Sequence, residues 1–311
     1  NKNNANATSA VAVGNYNNQN YTKGSNQTTP KQAGNYSTAV GSYNAALGDN
    51  SVSVGSMNTS HVADTVTIGQ NNNAKTMGGI SIGKNNLTDS TNNGANFGAT
   101  RDENSQIAIG RDTHATGSGA TALGARADAS GNNSIAIGQS GKTSPRVIAS
   151  GVNSIAIGMQ SQATGESAIA EGPGSRAGGK YGVALGRTSK ANAEATTALG
   201  NAAEANIANG VALGSSSVTT TDKGVLGYNP SDPHERKYAP LTGNVQTATT
   251  AAVSIGNGQQ MTRQLTGLAA GTADTDAVNV AQLKNVGVAV TGNIGKSDFL
   301  TDGGKLNVIG T

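Results

Sequence analysis

The chain has 311 residues, a net charge of +3 from 21 basic and 18 acidic side chains, 44 glycines, 3% aromatic residues and no cysteine. A composition so poor in bulky side chains either stays disordered or builds a thin, repetitive core from small and β-branched residues. It excludes disulfide scaffolds and cysteine-based metal sites, it offers no large basic block for nucleic acid, and no apolar run approaches the roughly 20 residues that span a bilayer.

The first residues, Asn1 to Ala7, are polar and lack the apolar centre of a signal peptide. Any export signal, and any membrane contact through an anchor, is therefore expected outside this fragment. A five-residue phrase, small-apolar-Ala-apolar-Gly, then recurs. Its closing glycines Gly41, Gly55, Gly69 and Gly83 are 14 residues apart; it returns at Gly110, Gly124 and Gly138, and again at Gly158, Gly172, Gly186, Gly200 and Gly214. A six-residue insertion is expected around Lys142 to Ile148.

The best copies are Ser134-Ile135-Ala136-Ile137-Gly138 and Ser154-Ile155-Ala156-Ile157-Gly158. Their period of two predicts a short strand, with the isoleucines on one face and Ser and Ala on the other. The closing glycine supplies positive φ at a tight turn. Strand, turn, strand, turn fills 14 residues, so the copies are expected to stack about 4.8 Å apart as a parallel β-solenoid, with about thirteen coils in a rod of about 60 Å. The isoleucines are expected to fill the space between the two sheets. Ala108, Ala122, Ala136, Ala156, Ala184, Ala198 and Ala212 then form a small-residue stripe on the other face, which predicts self-association of the rod. The stripe does not count subunits.

The pattern predicts a β-roll head over residues 1–217. Residues 218–250 hold three of the six prolines and the charge cluster Asp232 to Lys237, and are expected to be an inserted, surface-projecting loop or hairpin. Residues 251–290 repeat the phrase once at Val253 and continue into a helical segment. There Thr275-Asp276 can cap the helix, and Ala277, Val280 and Leu283 share a face, as at the start of a coiled coil. Residues 291–311 are expected to begin a further β-rich module.

These residues resemble a known family. The Ser-Ile-Ala-Ile-Gly and Thr-Ala-Leu-Gly repeats are similar to the heads of YadA-type trimeric autotransporter adhesins, and Asp276-Ala277-Val278-Asn279-Val280-Ala281-Gln282-Leu283 resembles the neck that joins such heads to coiled-coil stalks. The resemblance covers roughly residues 9 to 290. It implies a left-handed parallel β-roll, a homotrimer joined partly through Val280 and Leu283, no cofactor, and display on the Gram-negative outer membrane. It also implies binding of collagen, fibronectin, laminin or a host-cell receptor. The family's collagen-associated phrase has a near match in Asn153, Ser154, Ile155, Ala156, Ile157, Gly158 and Ser161, although the same phrase is the fold's own repeat. Tyr228, Arg236, Lys237 and Tyr238 are further candidate contacts, being interface-prone residue types in or beside the 229–240 loop. Weak contacts repeated along a rod and over three subunits would add up through avidity.

Enzymatic patterns fit poorly. Gly141-Lys142-Thr143 resembles the end of a P-loop, but Ala136 stands where its first glycine belongs. Gly172-Pro173-Gly174 has no βαβ unit around it. His61, His114 and His234 lack metal-ligand spacing. Two alternatives are a hexapeptide-repeat acyltransferase, whose coils are 18 residues long rather than 14, and a phage-type trimeric receptor-binding fibre, which needs no neck phrase.

Overall fold

The computed structural model describes residues 2–21, 28–30, 32–89, 105–227, 242–258, 260–285, 288–292 and 295–299. They fall into two units, Asn1–Asp222 with Thr250–Thr262, and Lys223–Thr249 with Arg263–Thr311.

The first unit is a parallel β-solenoid. Fourteen strands, from Val11–Asn15 to Val253–Ser254, form one sheet in coil order, and eleven shorter strands, from Ala45–Ala46 to Glu204–Ala205, form a second. Successive copies of the phrase stack residue on residue: Ile135 on Ile155, Ala136 on Ala156, Ile137 on Ile157. Equal coil length produces this register, because a one-residue slip would turn every side chain to the other face. The closing glycine is required twice over. At Gly69 φ is +120°, and a Cβ there would lie 2.0 Å from the carbonyl oxygen of Gly83 in the next coil. Each coil also turns at non-glycine residues in the left-handed region, such as Gln160 (φ 61°) and Ser167 (φ 53°). Coil-to-coil hydrogen bonds such as Ser167 N–H to Val152 O, 2.7 Å, offset their cost.

The faces are the reverse of the sequence expectation. Ala108, Ala122, Ala136, Ala156, Ala184, Ala198 and Ala212 are all fully buried within a single chain, between its own two sheets. They are the core of the roll and not a stripe offered to a partner. The isoleucines of the phrase point outward and are partly exposed. The reason is dimensional. A 14-residue coil with two short strands and tight corners leaves a narrow interior, filled mostly by methyls, hydroxyls and small amides with Val147 and Gln106 its largest side chains, and an isoleucine in every coil would push the sheets apart.

The interior also changes along its length. Three residues after the phrase glycine, the early coils place Asn17, Asn44, Asn58, Asn72 and Asn86, each at most 1% exposed. Each carboxamide nitrogen donates to a carbonyl in its own coil and to the phrase glycine of the next, as Asn72 does to Ile68 O at 2.9 Å and Gly83 O at 2.8 Å. Each carboxamide oxygen accepts the backbone N–H of the residue stacked on it, ending at Thr113. In later coils the position holds Ala127, Val147, Ser161, Ser175, Ser189, Ala203 and Ser217, and each serine hydroxyl donates to a carbonyl of its own coil.

The insertion after Gly138 lies earlier than expected. Val147–Ala149 is a strand of the second sheet, in register with Ala127–Ala129, so Val147 and Ile148 belong to the coil and the extra residues precede them. The roll also runs past residue 217: Val218 bridges Glu204, and Thr219 is 2% exposed. Val253–Ser254 then pairs with Val211-Ala212 and closes the long sheet.

In the second unit the helix is Val280–Lys284, capped by Asn279 and not by Thr275-Asp276. Asn279 accepts from Gln282 N–H at 2.9 Å, and Gln282 Oε1 accepts from Asn279 N–H at 3.1 Å, a reciprocal capping box. Asp276 instead closes the preceding turn, accepting from Thr272 and Ala273 N–H, and these bonds hold its carboxyl below the usual carboxylate range. Ala277 lies before the helix. Two antiparallel strands, Val288–Gly292 and Gly295–Phe299, follow.

Candidate binding surface

The roll presents two unlike outer faces. On the long sheet, two largely aliphatic columns run from coil to coil: Val52, Val66, Ile80, Ile107, Ile135 and Ile155 in one, broken by Thr38, Thr121 and Thr197, and Val54, Ile68, Ile82, Ile109, Ile137 and Ile157 in the other. None is buried in a single chain, and Val13 and Leu213 in the second column are 54% and 42% exposed. Glu171, in register between Ile157 and Leu185, is the charged interruption of that column.

The short sheet and the corners carry polar groups instead, and stacking pairs them between neighbouring coils. Lys75 meets Asp89 at 2.8 Å, Lys180 meets Glu166 at 2.9 Å, and Lys190 meets Glu204 at 3.4 Å, each pair separated by the 14-residue period of the roll. The Glu166 carboxylate, and after it the Tyr181 hydroxyl, raise the Lys180 ammonium above its usual range, and Lys180 Nζ lies 4.9 Å from the Tyr181 ring centre. Aromatic residues stack in the same way: the rings of Tyr16 and Tyr43 are parallel with centres 5.2 Å apart.

The expected ligand residues are not brought together. Asn153 is exposed at a left-handed corner, where its Oδ1 accepts from Asn133 Nδ2 at 3.3 Å. Ser154 and Ser161 face the interior and are fully buried, so they are corrected from ligand contacts to core residues; Ser161 Oγ donates to Gly158 O at 3.0 Å. Tyr228, Arg236, Lys237 and Tyr238 lie outside the described residues. Val280 and Leu283 are 67% and 59% exposed in the single chain.

Two arginines fix the insertion. Arg126 Nη1 donates to the carbonyls of Gly141 and Lys142, and Arg146 reaches Asp128 at 3.5 Å and the carbonyl of Asp112. His114 stacks beside Asp128 at 3.9 Å. Burial, and then the Arg146 charge, lower its pKa against the opposing pull of Asp128 and Asp112. Among the described residues there is no group of three or more His, Cys, Asp or Glu placed to hold a metal, and no helix long and apolar enough to cross a membrane.

The model of the YadA head domain repeat matches residues 33–56, 107–127, 115–140, 149–175, 177–203 and 193–217, and that of the coiled stalk of trimeric autotransporter adhesin matches residues 264–304. Together they cover more than half of the chain, head before stalk. The chain belongs to the trimeric autotransporter adhesins. Among its relatives, autotransporter adhesin BadA of Bartonella henselae is 39% identical over 101 residues, which are 30% of this chain and 3% of that protein. Trimeric autotransporter adhesin AtaA of Acinetobacter sp. (strain Tol 5) is 41% identical over 97 residues, again 30% of this chain and 3% of the relative. This adhesin chain therefore spans only a few per cent of the length of the curated relatives it matches. The crystal structure of the collagen-binding domain of Yersinia adhesin YadA is 33% identical, with 58% of this chain and 80% of that chain covered and a TM-score of 0.36.

Proposed function

We propose that this chain is the head and neck of a homotrimeric, non-catalytic surface fibre that attaches a Gram-negative cell to a host. The observation that carries the assembly is the pair of largely aliphatic columns on the long sheet, none of whose members from Val13 to Leu213 is buried in a single chain; the number three is that of the family. A soluble chain does not leave such a face in water along its whole length, and a parallel rod covers it by packing copies side by side about a common axis. The exposed Val280 and Leu283 support the same assembly in the neck, where a helix of five residues cannot stand alone.

The attached ligand, on this reading, is an extracellular-matrix protein such as collagen, fibronectin or laminin, or a host-cell receptor. The collagen-binding domain of the Yersinia relative favours collagen as the first candidate. Exposed corner residues, Asn153 among them, are the contacts that repetition makes available. The test is light scattering of the purified chain, followed by binding to immobilised collagen, fibronectin and laminin with soluble competitor. A trimer with saturable, competed binding to one of them supports the reading. A monomer sinks the assembly, and a trimer that binds none sinks the matrix ligand.

A further inference from the structure

The roll gathers cations that the sequence scatters. Four successive coils each place one within four residues after the phrase glycine: Lys84 and Arg111 directly after it, Arg126 two residues on, and Lys142 four residues on, in the insertion. Lys84 and Arg111 are direct neighbours in register. The backbone N–H of Arg126 donates to Arg111 O at 2.9 Å, and its guanidinium holds the carbonyl of Lys142. At about 4.8 Å per coil the row is about 15 Å long.

Like charges stacked on adjacent strands are unfavourable, and elsewhere the roll sets acids beside bases, as at Lys75–Asp89 and Lys190–Glu204. Along this row it does not. Lys84, Arg111 and Lys142 are exposed and, among the described residues, have no carboxylate within ion-pair distance. Of the acids beside it, Asp112 accepts from the neutral Asn85 at 3.1 Å and keeps its charge, while Asp128 is shared between Arg146 and His114. Lys84, Arg111 and Lys142 against the single carboxylate of Asp112 leave the strip net positive, on a rigid backbone.

We infer that this strip binds a sulfated polysaccharide. Its partner must be a linear polyanion with several charges within about 15 Å, met by flexible ammonium and guanidinium groups without a groove. The strip has no aromatic platform for stacking bases, as single-stranded nucleic acid requires, and it is too short for the many phosphate contacts that hold duplex DNA. The inference goes beyond protein-ligand attachment and does not depend on which matrix protein, if any, the head binds.

The test is binding of the purified chain to immobilised heparin in about 0.15 M salt. One variant combines Lys84→Gln, Arg111→Gln and Lys142→Gln, leaving Arg126 and Arg146 to hold the insertion. A control with the same charge change combines Lys75→Gln, Lys180→Gln and Lys190→Gln, whose ammonium groups are already paired. The first is expected to bind heparin about tenfold more weakly or worse, as loss of three surface charge contacts implies, and the control within about twofold of the parent. Arg111→Lys, which keeps the charge, should retain binding, and Lys84→Glu alone should weaken it, so the inference stays testable if the triple variant melts early. Parent-like binding by the triple variant, equal loss in the control, or equal competition by a DNA oligonucleotide overturns it.

Discussion

The carboxamide nitrogen of Asn58 lies 3.0 Å from the carboxamide oxygen of Asn44, one coil earlier, and both side chains are shut away from water. Asn58 Nδ2 also reaches Val54 O at 2.9 Å and Gly69 O at 2.8 Å, and its Oδ1 accepts from Asn72 through both backbone and side chain at 3.0 Å. The rung ties three consecutive coils. Stacked amides of this kind rigidify a parallel sheet because every polar atom is satisfied by the copies on either side.

Asn58→Ala takes a donor from each of those carbonyls and the Oδ1 acceptor from the Asn72 N–H in a dry interior, at a cost of about 2–4 kcal/mol. Denaturant unfolding should register that loss. Asn58→Ser should fall in between, because a serine here reaches its own coil's glycine carbonyl, as Ser161 does to Gly158 at 3.0 Å. A variant as stable as the parent would remove the ladder from the forces that hold the early coils.

The phrase glycines make a second test. Gly69→Ala sets a Cβ 2.0 Å from Gly83 O at a φ of +120°, so two coils must separate or the corner must change shape. A loss above about 3 kcal/mol is expected, well beyond the ordinary glycine-to-alanine effect. Hydrogen exchange should locate the opening at the coils on either side, since solenoid coils unfold through their neighbours.

The His114 site adds a pH dependence. Its folded pKa is depressed below the usual value of about 6.5, so the folded state resists the proton. The stability it contributes is present above that value and is lost as pH falls through the lower, folded pKa. Melting temperature should therefore decline from pH 7 to pH 5, and His114→Asn should flatten part of that decline. An identical pH profile in the variant would show that His114 does not report on the clasp made by Arg146 and Asp128.

Much of this architecture was legible in sequence because its signals are local and repeated. The 14-residue spacing specifies the coil, Gly69 and its counterparts mark the corner, and the neck phrase around Asn279 precedes a helix. The faces were not legible. Alternation groups Ile135 with Ile137 and Ser134 with Ala136, but it does not say which pair is inside; the width of the coil decides that, and width is a property of the closed roll. The asparagine ladder left a signal that could have been read, since Asn44, Asn58, Asn72 and Asn86 each follow a phrase glycine by three positions. The cation row left a partial one: Lys84 and Arg111 directly follow phrase glycines and Arg126 follows one by two, but Lys142 joins them only through the insertion.

Two adjacent residues separate folding from assembly. Ala136 is fully buried within the roll, and its neighbour Ile137 lies on the outer face. Ala136→Glu puts a carboxylate between two sheets with no room and no counter-ion, and should cost the roll more than about 3 kcal/mol or abolish folding. Ile137→Glu puts the same charge where a second chain is proposed to pack. The roll should keep its β-sheet circular dichroism, while light scattering on dilution moves from the trimer mass toward that of one chain. If instead Ile137→Glu unfolds the chain and Ala136→Glu leaves it folded but dissociated, the alanine face is the interface after all, and the arrangement of core and surface described above is wrong.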